Sequence, residues 1–398
     1  MKSHNNVDID ELLTRGVENV IPASLAKEKL ASKKPMRVYF GIDPTGAKLH
    51  LGHSVPLRKL KAFGDAGHEI ILVVGSFTAM IGDPSGRDAL REPLSKSQVE
   101  ENFKDYKNQA KKILDLSQVE VRYNHEWLEP LCFSDIVNLA SKFTVQHMLQ
   151  RDMFDRRLKE GKPIGLHEFL YPLMVGYDSV ILDVDCEIGG SDQEFNMLAG
   201  RELQKDFGKR DKFVLTTELI EGTDGRKMSK TYNNCIYLED EPNDMYGKIM
   251  SMVDAQILKY FELCTNVPTQ EIIKMSSDLE DGKLHPKEAK MYLAREIVTL
   301  YHGEKLAKSA EENFINTFSK KEIPNEIKTV GVVLGSKIID ALLEEKLVES
   351  KSEWRRLVED SAVINVETNE IIKSSDQTVE APIVLKVGKR RFIKLEIL

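Results

Sequence analysis

The sequence predicts an α/β protein with a parallel sheet in its first part, an all-helical region after it and a small α+β region at its end. Two apolar runs, Arg37–Ile42 and Glu69–Val74, are predicted to be buried strands, and a periodic helix at residues 52–66 lies between them. Continuous apolar strands joined by a helix are typical of parallel sheets. Because such sheets bind ligands at the carboxyl ends of their strands, residues 39–53 and 75–86 are expected to share one crevice.

The other elements of the first part are predicted from the same patterns. Residues 8–32 are expected to be helical, because their apolar side chains recur on one side. A turn with Pro44 and Gly46 ends the first strand, and Gly67 stands where a helix C-cap glycine belongs. The further expectations are a charged helix at 95–116, an amphipathic helix at 134–160, and strands at 180–184 and 213–215.

Three domains are expected along the chain. Residues 1–233 contain the sheet, with a helical insertion near 120–165, and residues 234–325 predict a helical domain rich in Lys and Glu. Pro324 and Asn325 predict a linker, and residues 332–398 predict the small α+β domain. Its expected elements are helices at 335–347 and 351–360 and strands at 363–365, 383–387 and 391–395.

Composition excludes several classes of protein. The chain has 398 residues and a formal net charge of −8, which argues against non-specific binding along a duplex, so no DNA partner is expected. Its four cysteines, Cys132, Cys186, Cys235 and Cys264, have no CxxC spacing and are expected to be reduced packing residues. No apolar signal segment or membrane span is evident, so a cytoplasmic protein without membrane contact is expected.

A first motif with chemical potential, Pro-Thr-Gly-Ala-Lys-Leu-His-Leu-Gly-His, opens a helix directly after a strand. Helix N-termini present unsatisfied N–H groups and a partial positive charge to anions. His50 and His53 lie three residues apart, so both should project from one face of the first turn, where imidazoles can donate to phosphate oxygens. Gly52 leaves room for a flat base, and Thr45 adds a hydroxyl nearby.

A second motif, at residues 222–232, is a glycine-containing loop with cations at Arg226, Lys227 and Lys230. It does not fit the GxxxxGK[ST] pattern of a P-loop. The pattern indicates a mobile clamp on a polyphosphate, in which Lys227 and Lys230 stabilise the charge of a departing pyrophosphate.

Each motif taken alone has a simpler interpretation. His50 and His53 could be ordinary surface histidines or a metal-binding pair, although no further Cys or His follows at ligand spacing. The second motif could be a solvated lysine-rich surface loop.

Together, the motifs resemble the HIGH-type and KMSKS-type signatures of class I aminoacyl-tRNA synthetases, and here they read HLGH and KMSKT. Four further segments resemble bacterial tyrosyl-tRNA synthetases, and the likeness extends over the whole chain. They are YFGIDPTGAKLHLGH at 39–53, GDPSG at 82–86, YPLMVGYD at 171–178 and GGSDQ at 189–193.

The resemblance implies a Rossmann-like catalytic domain, then a helical domain of the anticodon-binding type. Residues 347–365, LVESKSEWRRLVEDSAVIN, resemble an S4-type RNA-binding module, so 332–398 is expected to be S4-like. The implied reaction activates L-tyrosine with ATP to tyrosyl-adenylate and pyrophosphate, and then transfers tyrosine to the 3′ end of tRNA(Tyr). A homodimer formed through residues 130–160 is also implied.

By resemblance, Tyr39 and Asp178 face the phenol of tyrosine. A buried phenol O–H needs an acceptor, which Asp178 offers, and Tyr39 can donate back. Phenylalanine would leave both groups unpaired, so no editing site is needed. The remaining implied tyrosine contacts are Asp83 and Tyr171 at the α-amino group, supported by Thr78 and Asn124, and Gln193 at the carboxyl or the adenylate.

One position departs from the family pattern. The fifth residue of YxxxQxxD is a glutamine that helps to bind the α-amino group, and here it is Val175. Valine cannot form a hydrogen bond, so weaker tyrosine binding or a compensating water or neighbour is expected.

By resemblance, the catalytic residues are Thr45, His50, His53, Lys227 and Lys230. No side chain acts as a nucleophile, because the tyrosine carboxylate attacks the α-phosphorus of ATP and catalysis is mostly positioning and charge stabilisation. Mg²⁺ is expected to accompany ATP through its phosphates, without an all-protein metal site. The implied ATP-binding residues are Asp43, Gly52, Gly190, Asp192, Lys230 and Thr231, with Asp192 on the ribose.

A local basic face is expected to bind RNA, although the last region is nearly neutral overall. A merely solvated face is the alternative interpretation. The candidate RNA-binding residues are Lys351, Arg355, Arg356, Lys389, Arg390 and Arg391.

Three other functions fit part of the sequence. A tryptophanyl-tRNA synthetase would share the fold and both motifs, but should not need Tyr39, Asp178 or the S4-like tail. A nucleotidylyltransferase would share only an HxGH element, without the RNA-binding tail. A non-catalytic RNA-binding paralogue is compatible with Val175, although the intact histidines and lysines argue against it.

Overall fold

The structure is a computed structural model that describes residues 9–46, 48–85, 94–229, 232–319, 327–366, 368, 370–388 and 391–397. Its contacts divide the chain into two compact units. The first unit is Met1–Glu241 with Lys248–Gly303, and the second is Pro242–Gly247 with Glu304–Leu398. The three-domain division stays a prediction, and the predicted linker at Pro324 and Asn325 lies outside the described residues.

A six-stranded sheet forms the centre of the first unit. Its strands are β1 (Val17–Ile21), β2 (Arg37–Ile42), β3 (Glu69–Val74), β4 (Val119–Tyr123), β5 (Cys186–Gly190) and β6 (Phe213–Thr217). The order is β1-β6-β5-β2-β3-β4; β1 runs antiparallel to β6, and the other neighbours are parallel. The chain reverses its strand order between β2 and β5, and such a switch point opens a ligand crevice at the carboxyl ends of the strands. The predicted α/β class with a parallel sheet is confirmed.

Helices alternate with these strands in the chain. They are α1 (Ile9–Thr14), α2 (Ala23–Ala31), α3 (Leu51–Asp65), α4 (Thr78–Ile81), α5 (Lys96–Ala110), α6 (His125–Leu128), α7 (Phe133–Ala140), α8 (Val145–Leu149), α9 (Asp152–Lys159), α10 (Tyr171–Leu182) and α11 (Glu194–Asp206). Four more follow in the chain, namely α12 (Pro242–Met250), α13 (Ile257–Cys264), α14 (Thr269–Glu280) and α15 (Pro286–His302). Helix α3 buries Val55, Leu60 and Phe63, which confirms its predicted apolar periodicity.

Three predicted elements were wrong in part. Residues 17–21 are strand β1 instead of helix, because β-branched Val17, Val20 and Ile21 pair with β6. Gly16, at φ 62°, has a left-handed backbone conformation that interrupts the helix before this strand. Residues 180–182 end helix α10, which is apolar on most sides because it is buried, and the strand begins only at Cys186. The predicted helix at 134–160 is three helices, the second of which is capped by Thr144.

The second unit contains a four-stranded sheet and helices. Its elements are α16 (Glu304–Phe314), β7 (Thr329–Val332), α17 (Ile338–Glu344), α18 (Lys351–Glu359), β8 (Val363–Asn365), β9 (Ile383–Val387) and β10 (Arg391–Ile397). The sheet order is β7-β10-β9-β8. Trp354 is buried in this core, and its indole N–H donates to the Ser375 carbonyl at 2.8 Å. The predicted helices and strands are confirmed, and β7 is additional. Within the described part of the chain, no helix is long and apolar enough to cross a membrane.

Candidate active site

His50 is the N-cap residue of α3, and His53 lies in the first turn of that helix. The backbone N–H of His50 donates to Nδ1 of His53 at 3.2 Å, and the two ring centroids lie 3.8 Å apart. A side chain at Gly52 would place its Cβ 3.0 Å from the His50 ring and 3.4 Å from Ile220. Glycine at this position therefore leaves the space that the His50 ring occupies.

Asp43 and Thr45 follow β2 at the switch point. The Thr45 N–H donates to the Asp43 carbonyl at 2.8 Å. The Asp43 carboxylate accepts hydrogen bonds from the Thr78 hydroxyl at 2.7 Å and from the Tyr171 hydroxyl at 2.9 Å. A Cβ at Gly75 would lie 1.8 Å from the Asp43 carboxylate, so this close approach of backbone and carboxylate requires glycine.

A chain of hydrogen bonds continues from Thr78 to Asp178. The amide of Asn124 donates to the Thr78 hydroxyl at 3.0 Å and to Asp178 at 3.3 Å, while the Trp127 indole N–H donates to Asp178 at 2.8 Å. Burial raises the pKa of Asp178 well above its usual range, and the hydrogen bonds from Trp127 and Asn124 oppose that rise. The carboxylate is thus a buried acceptor that two fixed donors orient.

Tyr39 is buried near the same helix as Asp178. Its hydroxyl lies 3.1 Å from the hydroxyl of Ser179, the residue that follows Asp178 on α10. Burial, with the charge of Glu187 second, raises the pKa of Tyr39, so its hydroxyl stays protonated at neutral pH. Tyr39 therefore offers a neutral hydroxyl rather than a charge.

Asp83 and Gln193 form a separate pair. The Gln193 amide donates to Asp83 at 2.7 Å, and Asn196 donates to the Gln193 carbonyl at 2.8 Å. Tyr171 donates to Asp43 and not to Asp83, although the negative charge of Asp83 contributes to the raised pKa of Tyr171 after burial and Asp43. Of the predicted tyrosine-binding residues, six belong to hydrogen-bonded groups that share Asp43, Asp178 or Asp83.

Arg151 is a residue of this region that the sequence did not reveal. Its guanidinium donates to the Ser85 hydroxyl at 2.6 Å and lies 4.8 Å from the ring centre of Phe195. Burial lowers its pKa, and the charges of Asp83, Tyr171 and Asp192 oppose that effect. No local motif marks Arg151, because its role follows from tertiary contacts between distant segments.

The second motif approaches the loop after β5. The Lys227 ammonium lies 3.8 Å from the Asp192 carboxylate, and Lys227 is exposed. Burial raises the pKa of Asp192, and Lys227 opposes this shift. Asn234 holds the loop, because its carbonyl accepts from the Ser229 N–H at 2.8 Å and its amide donates to Asp224 at 2.7 Å.

The remaining candidates are distributed as follows. Gly190 ends β5, and Val175 is half-buried one turn after Tyr171 on α10. Lys230, Thr231, Lys389 and Arg390 lie outside the described residues.

In the second unit, the basic candidates differ in exposure. Lys351, Arg355 and Arg356 are exposed on α18. Arg391 is half-buried, donating to Glu353 at 2.8 Å and to the carbonyl of Leu347. Over the described ranges, no three His, Cys, Asp or Glu side chains are grouped to hold a metal ion.

The chain matches a known family and named relatives. Residues 31–319 match the family model of class I tRNA synthetases for W and Y. The chain is 46% identical to tyrosine–tRNA ligase of Carboxydothermus hydrogenoformans, with 97% of each chain covered. It is also 46% identical to the Thermotoga maritima tyrosine–tRNA ligase, with 97% of this chain and 96% of the relative covered.

Solved structures share the fold at lower identity. The Aspergillus nidulans mitochondrial tyrosyl-tRNA synthetase, truncated at its C-terminus, has a TM-score of 0.66 and 23% identity over 80% of this chain and 95% of its own. An Archaeoglobus fulgidus tyrosyl-tRNA synthetase complexed with L-tyrosine has a TM-score of 0.62 and 22% identity over 76% of this chain and 100% of its own. The chain belongs to the family of class I tRNA synthetases that includes the tryptophan and tyrosine enzymes.

Proposed function

We propose that the chain is a cytoplasmic tyrosine–tRNA ligase, which activates L-tyrosine with ATP and transfers it to tRNA(Tyr). The observation that carries the proposal is the hydrogen-bonded line from Asp43 through Thr78 and Asn124 to Asp178, at the switch point of the sheet. Such a line offers acceptors for both an ammonium group and a phenol. Its relatives named as tyrosine–tRNA ligases support the same assignment.

The tyrosine side of the site follows from these contacts. The phenol binds between Tyr39 and Asp178, because a buried O–H needs the acceptor that Trp127 and Asn124 orient. The α-amino group binds near Asp83 and Tyr171, and Asp43 adds a carboxylate that Tyr171 contacts directly. Thr78 and Asn124 support the residues that bind the α-amino group. Gln193 contacts the carboxyl group of tyrosine.

The nucleotide side combines the two motifs. Thr45 and His50 serve the γ-phosphate, His53 serves the nucleotide, and Lys227 with Lys230 stabilises the leaving pyrophosphate. Gly52, Gly190 and Thr231 are further ATP contacts, and Asp192 binds the ribose. Mg²⁺ bound to the phosphates would supply further charge stabilisation, without a protein cage.

The test of the proposed function is amino-acid-dependent exchange of pyrophosphate into ATP. Tyrosine should support exchange, whereas tryptophan and phenylalanine should give rates near background. Charging of tRNA(Tyr) should follow in the same preparation. Exchange with tryptophan alone would assign the chain to the other branch of the family, and the absence of exchange with any of the three would leave a non-catalytic paralogue.

Replacing Val175 by glutamine is expected to lower the KM for tyrosine by roughly tenfold, because the amide adds a hydrogen bond to the charged α-amino group. Val175 lies one turn from Tyr171 and is half-buried, so a longer polar side chain on that turn can reach the group that Tyr171 serves. The KM is measured by pyrophosphate exchange, with Val333→Gln, at an exposed valine of the second unit, as control. An unchanged KM would show that the amino group is already fully paired.

Homodimerisation through the helical insertion has support in its surface. Large apolar side chains are exposed along it, with Phe133 84% accessible, and Val145 and Leu158 more than half accessible. Exposed apolar side chains concentrated in one segment are typical of association surfaces. We assign this surface to a second copy of the chain.

The substitution Phe133→Asp is expected to convert the dimer to a monomer, because it places a charge in an apolar interface. Sedimentation velocity at micromolar concentration measures the change. Ile273→Asp, at a 57% accessible apolar residue on α14, is the matched control and should leave the dimer intact. A monomeric parent protein, or a dimeric Phe133→Asp variant, would contradict the assignment.

RNA binding by the second unit is proposed for its exposed cations. Lys351, Arg355 and Arg356 on α18 are available for phosphates, whereas Arg391 already serves Glu353 within the fold. Lys389 and Arg390 precede Arg391 in sequence and complete the proposed basic face of an S4-like module.

A further inference from the structure

A second buried polar network lies behind the hydroxyl of Tyr39. It consists of Ser179 on α10, Glu187 on β5 and Lys212, the residue before β6. Lys212 and Ser179 are 0% accessible and Glu187 is 4% accessible. The Lys212 ammonium donates to the Ser179 hydroxyl at 2.5 Å and also pairs with the Glu187 carboxylate. The Ser179 oxygen in turn lies 3.1 Å from the Tyr39 oxygen.

The fold makes room for this network at one glycine. A Cβ at Gly200 would lie 2.8 Å from the Lys212 ammonium and 2.8 Å from the Ser179 hydroxyl. The ammonium also lies 5.8 Å from the centre of the Tyr39 ring. Buried ion pairs stabilise proteins weakly, since desolvation offsets their attraction. Because the Lys212–Glu187 pair lies beside Tyr39, which faces the proposed substrate, we expect the pair to serve the site and not stability alone.

The direction of hydrogen bonding in the network is fixed at its Lys212 end. An ammonium group has donors only, so the Ser179 oxygen must accept from Lys212. Ser179 has a single proton, which can go to Glu187 at 3.3 Å or to Tyr39 at 3.1 Å. Glu187 also accepts a hydrogen bond from the Tyr39 hydroxyl. Ser179 and Glu187 together therefore fix the position of the Tyr39 oxygen.

The other end of the site also has a fixed direction. Asp178 accepts from the Trp127 indole and the Asn124 amide, so it presents an oriented acceptor to a ligand. A phenol between the two ends can donate its proton to Asp178, and its oxygen then lies against the Tyr39 hydroxyl that Ser179 and Glu187 hold.

We propose that Lys212, Ser179 and Glu187 are positioning residues that hold the Tyr39 hydroxyl against the phenol oxygen of bound tyrosine. This inference rests on the proposed placement of the phenol between Tyr39 and Asp178. Since phenylalanine has no oxygen to pair with that hydroxyl, the network contributes to discrimination between the two amino acids. The three residues act through Tyr39 and do not touch the substrate.

The first test is Ser179→Ala, which removes the link between Lys212 and Tyr39. The kcat/KM for tyrosine in pyrophosphate exchange should fall about tenfold, the loss of one oriented hydrogen bond, and that for phenylalanine should change less than about twofold. In a Tyr39→Phe background, Ser179→Ala should have no further effect, because the hydroxyl through which it acts is gone. Thr265→Val, which removes another fully buried hydroxyl, is the control and should leave the ratio of the two substrates unchanged.

The outcomes separate the inference from its premise. If Tyr39→Phe leaves the tyrosine-to-phenylalanine ratio unchanged, the placement of the phenol is wrong. Suppose instead that Tyr39→Phe lowers the tyrosine-to-phenylalanine ratio. The positioning role is then overturned if Ser179→Ala lowers kcat/KM equally for the two substrates. It is also overturned if Ser179→Ala has its full effect on kcat/KM for tyrosine in the Tyr39→Phe background.

A charge-balanced variant keeps the proposal testable if Ser179→Ala does not fold. Lys212→Met/Glu187→Met replaces the buried pair by apolar side chains of similar length, a change that proteins often tolerate without loss of stability. The variant should remain folded by thermal unfolding and still lose about tenfold in the tyrosine-to-phenylalanine ratio. A folded variant with the parent ratio would also overturn the proposal.

Discussion

Replacing Asp178 by asparagine should lower kcat/KM for tyrosine by roughly 100-fold or more, because the site loses an acceptor oxygen and gains a misplaced donor. The Asp178 carboxylate receives the Trp127 indole N–H at 2.8 Å and the Asn124 amide at 3.3 Å, one on each oxygen. An asparagine amide must turn its NH₂ group toward one of these donors. The loss therefore combines a weaker bond to the phenol with an unpaired donor in a buried site.

The difference between the losses in kcat/KM for tyrosine and for phenylalanine tests whether Asp178 binds the phenol. Phenylalanine makes no hydrogen bond to Asp178, so its kcat/KM should fall far less, and the ratio of the two substrates should collapse. Asp211→Asn is the matched control, since Asp211 is exposed and pairs with Arg201 on the surface. Equal losses for tyrosine and phenylalanine would mean that Asp178 supports the fold of the pocket instead of the phenol.

The parts of the fold that the sequence predicted well are those with a local signature. Strand Glu69–Val74 contains a continuous apolar run at residues 70–74, which is typical of a strand buried on both faces. Helix α3 has a periodic apolar face and a turn before it, so its first turn, with His50 and His53, could be placed at the crevice. Both motifs could therefore be assigned before any contact was known.

The failures have a common physical cause. Residues 180–182 resembled a strand because helix α10 is buried on most sides, and a short apolar run does not distinguish a buried helix from a buried strand. Trp127, Arg151 and Lys212 carry no motif, since each acquires its role only when a distant segment brings Asp178, Ser85 or Glu187 to it. Sequence patterns record periodicity, whereas these residues depend on tertiary contacts.

Glu168→Gln is expected to destabilise the protein by about 3–5 kcal/mol, because it leaves the buried guanidinium of Arg157 without its counter-charge. The Arg157 side chain is 1% and the Glu168 side chain 5% accessible, and they form two hydrogen bonds at 2.8 and 3.0 Å. Glu168 also accepts from the Gly165 N–H at 2.7 Å, and Arg157 donates to the Pro163 carbonyl. The Arg157–Glu168 pair thus holds in place the segment between α9 and Tyr171, which belongs to the proposed tyrosine site.

Urea unfolding at one fixed protein concentration measures the loss, since a dimer's stability depends on concentration. Asp65→Asn is the control, because both partners of its pair with Lys61 are exposed and the pair should be worth less than about 1 kcal/mol. Arg157→Met/Glu168→Met removes both charges and should recover most of the stability that Glu168→Gln loses. A double variant as unstable as the single one would mean that the hydrogen bonds to Gly165 and Pro163, and not charge pairing, hold this segment. In that case the KM for tyrosine should rise in both variants, because α10 begins only three residues after Glu168.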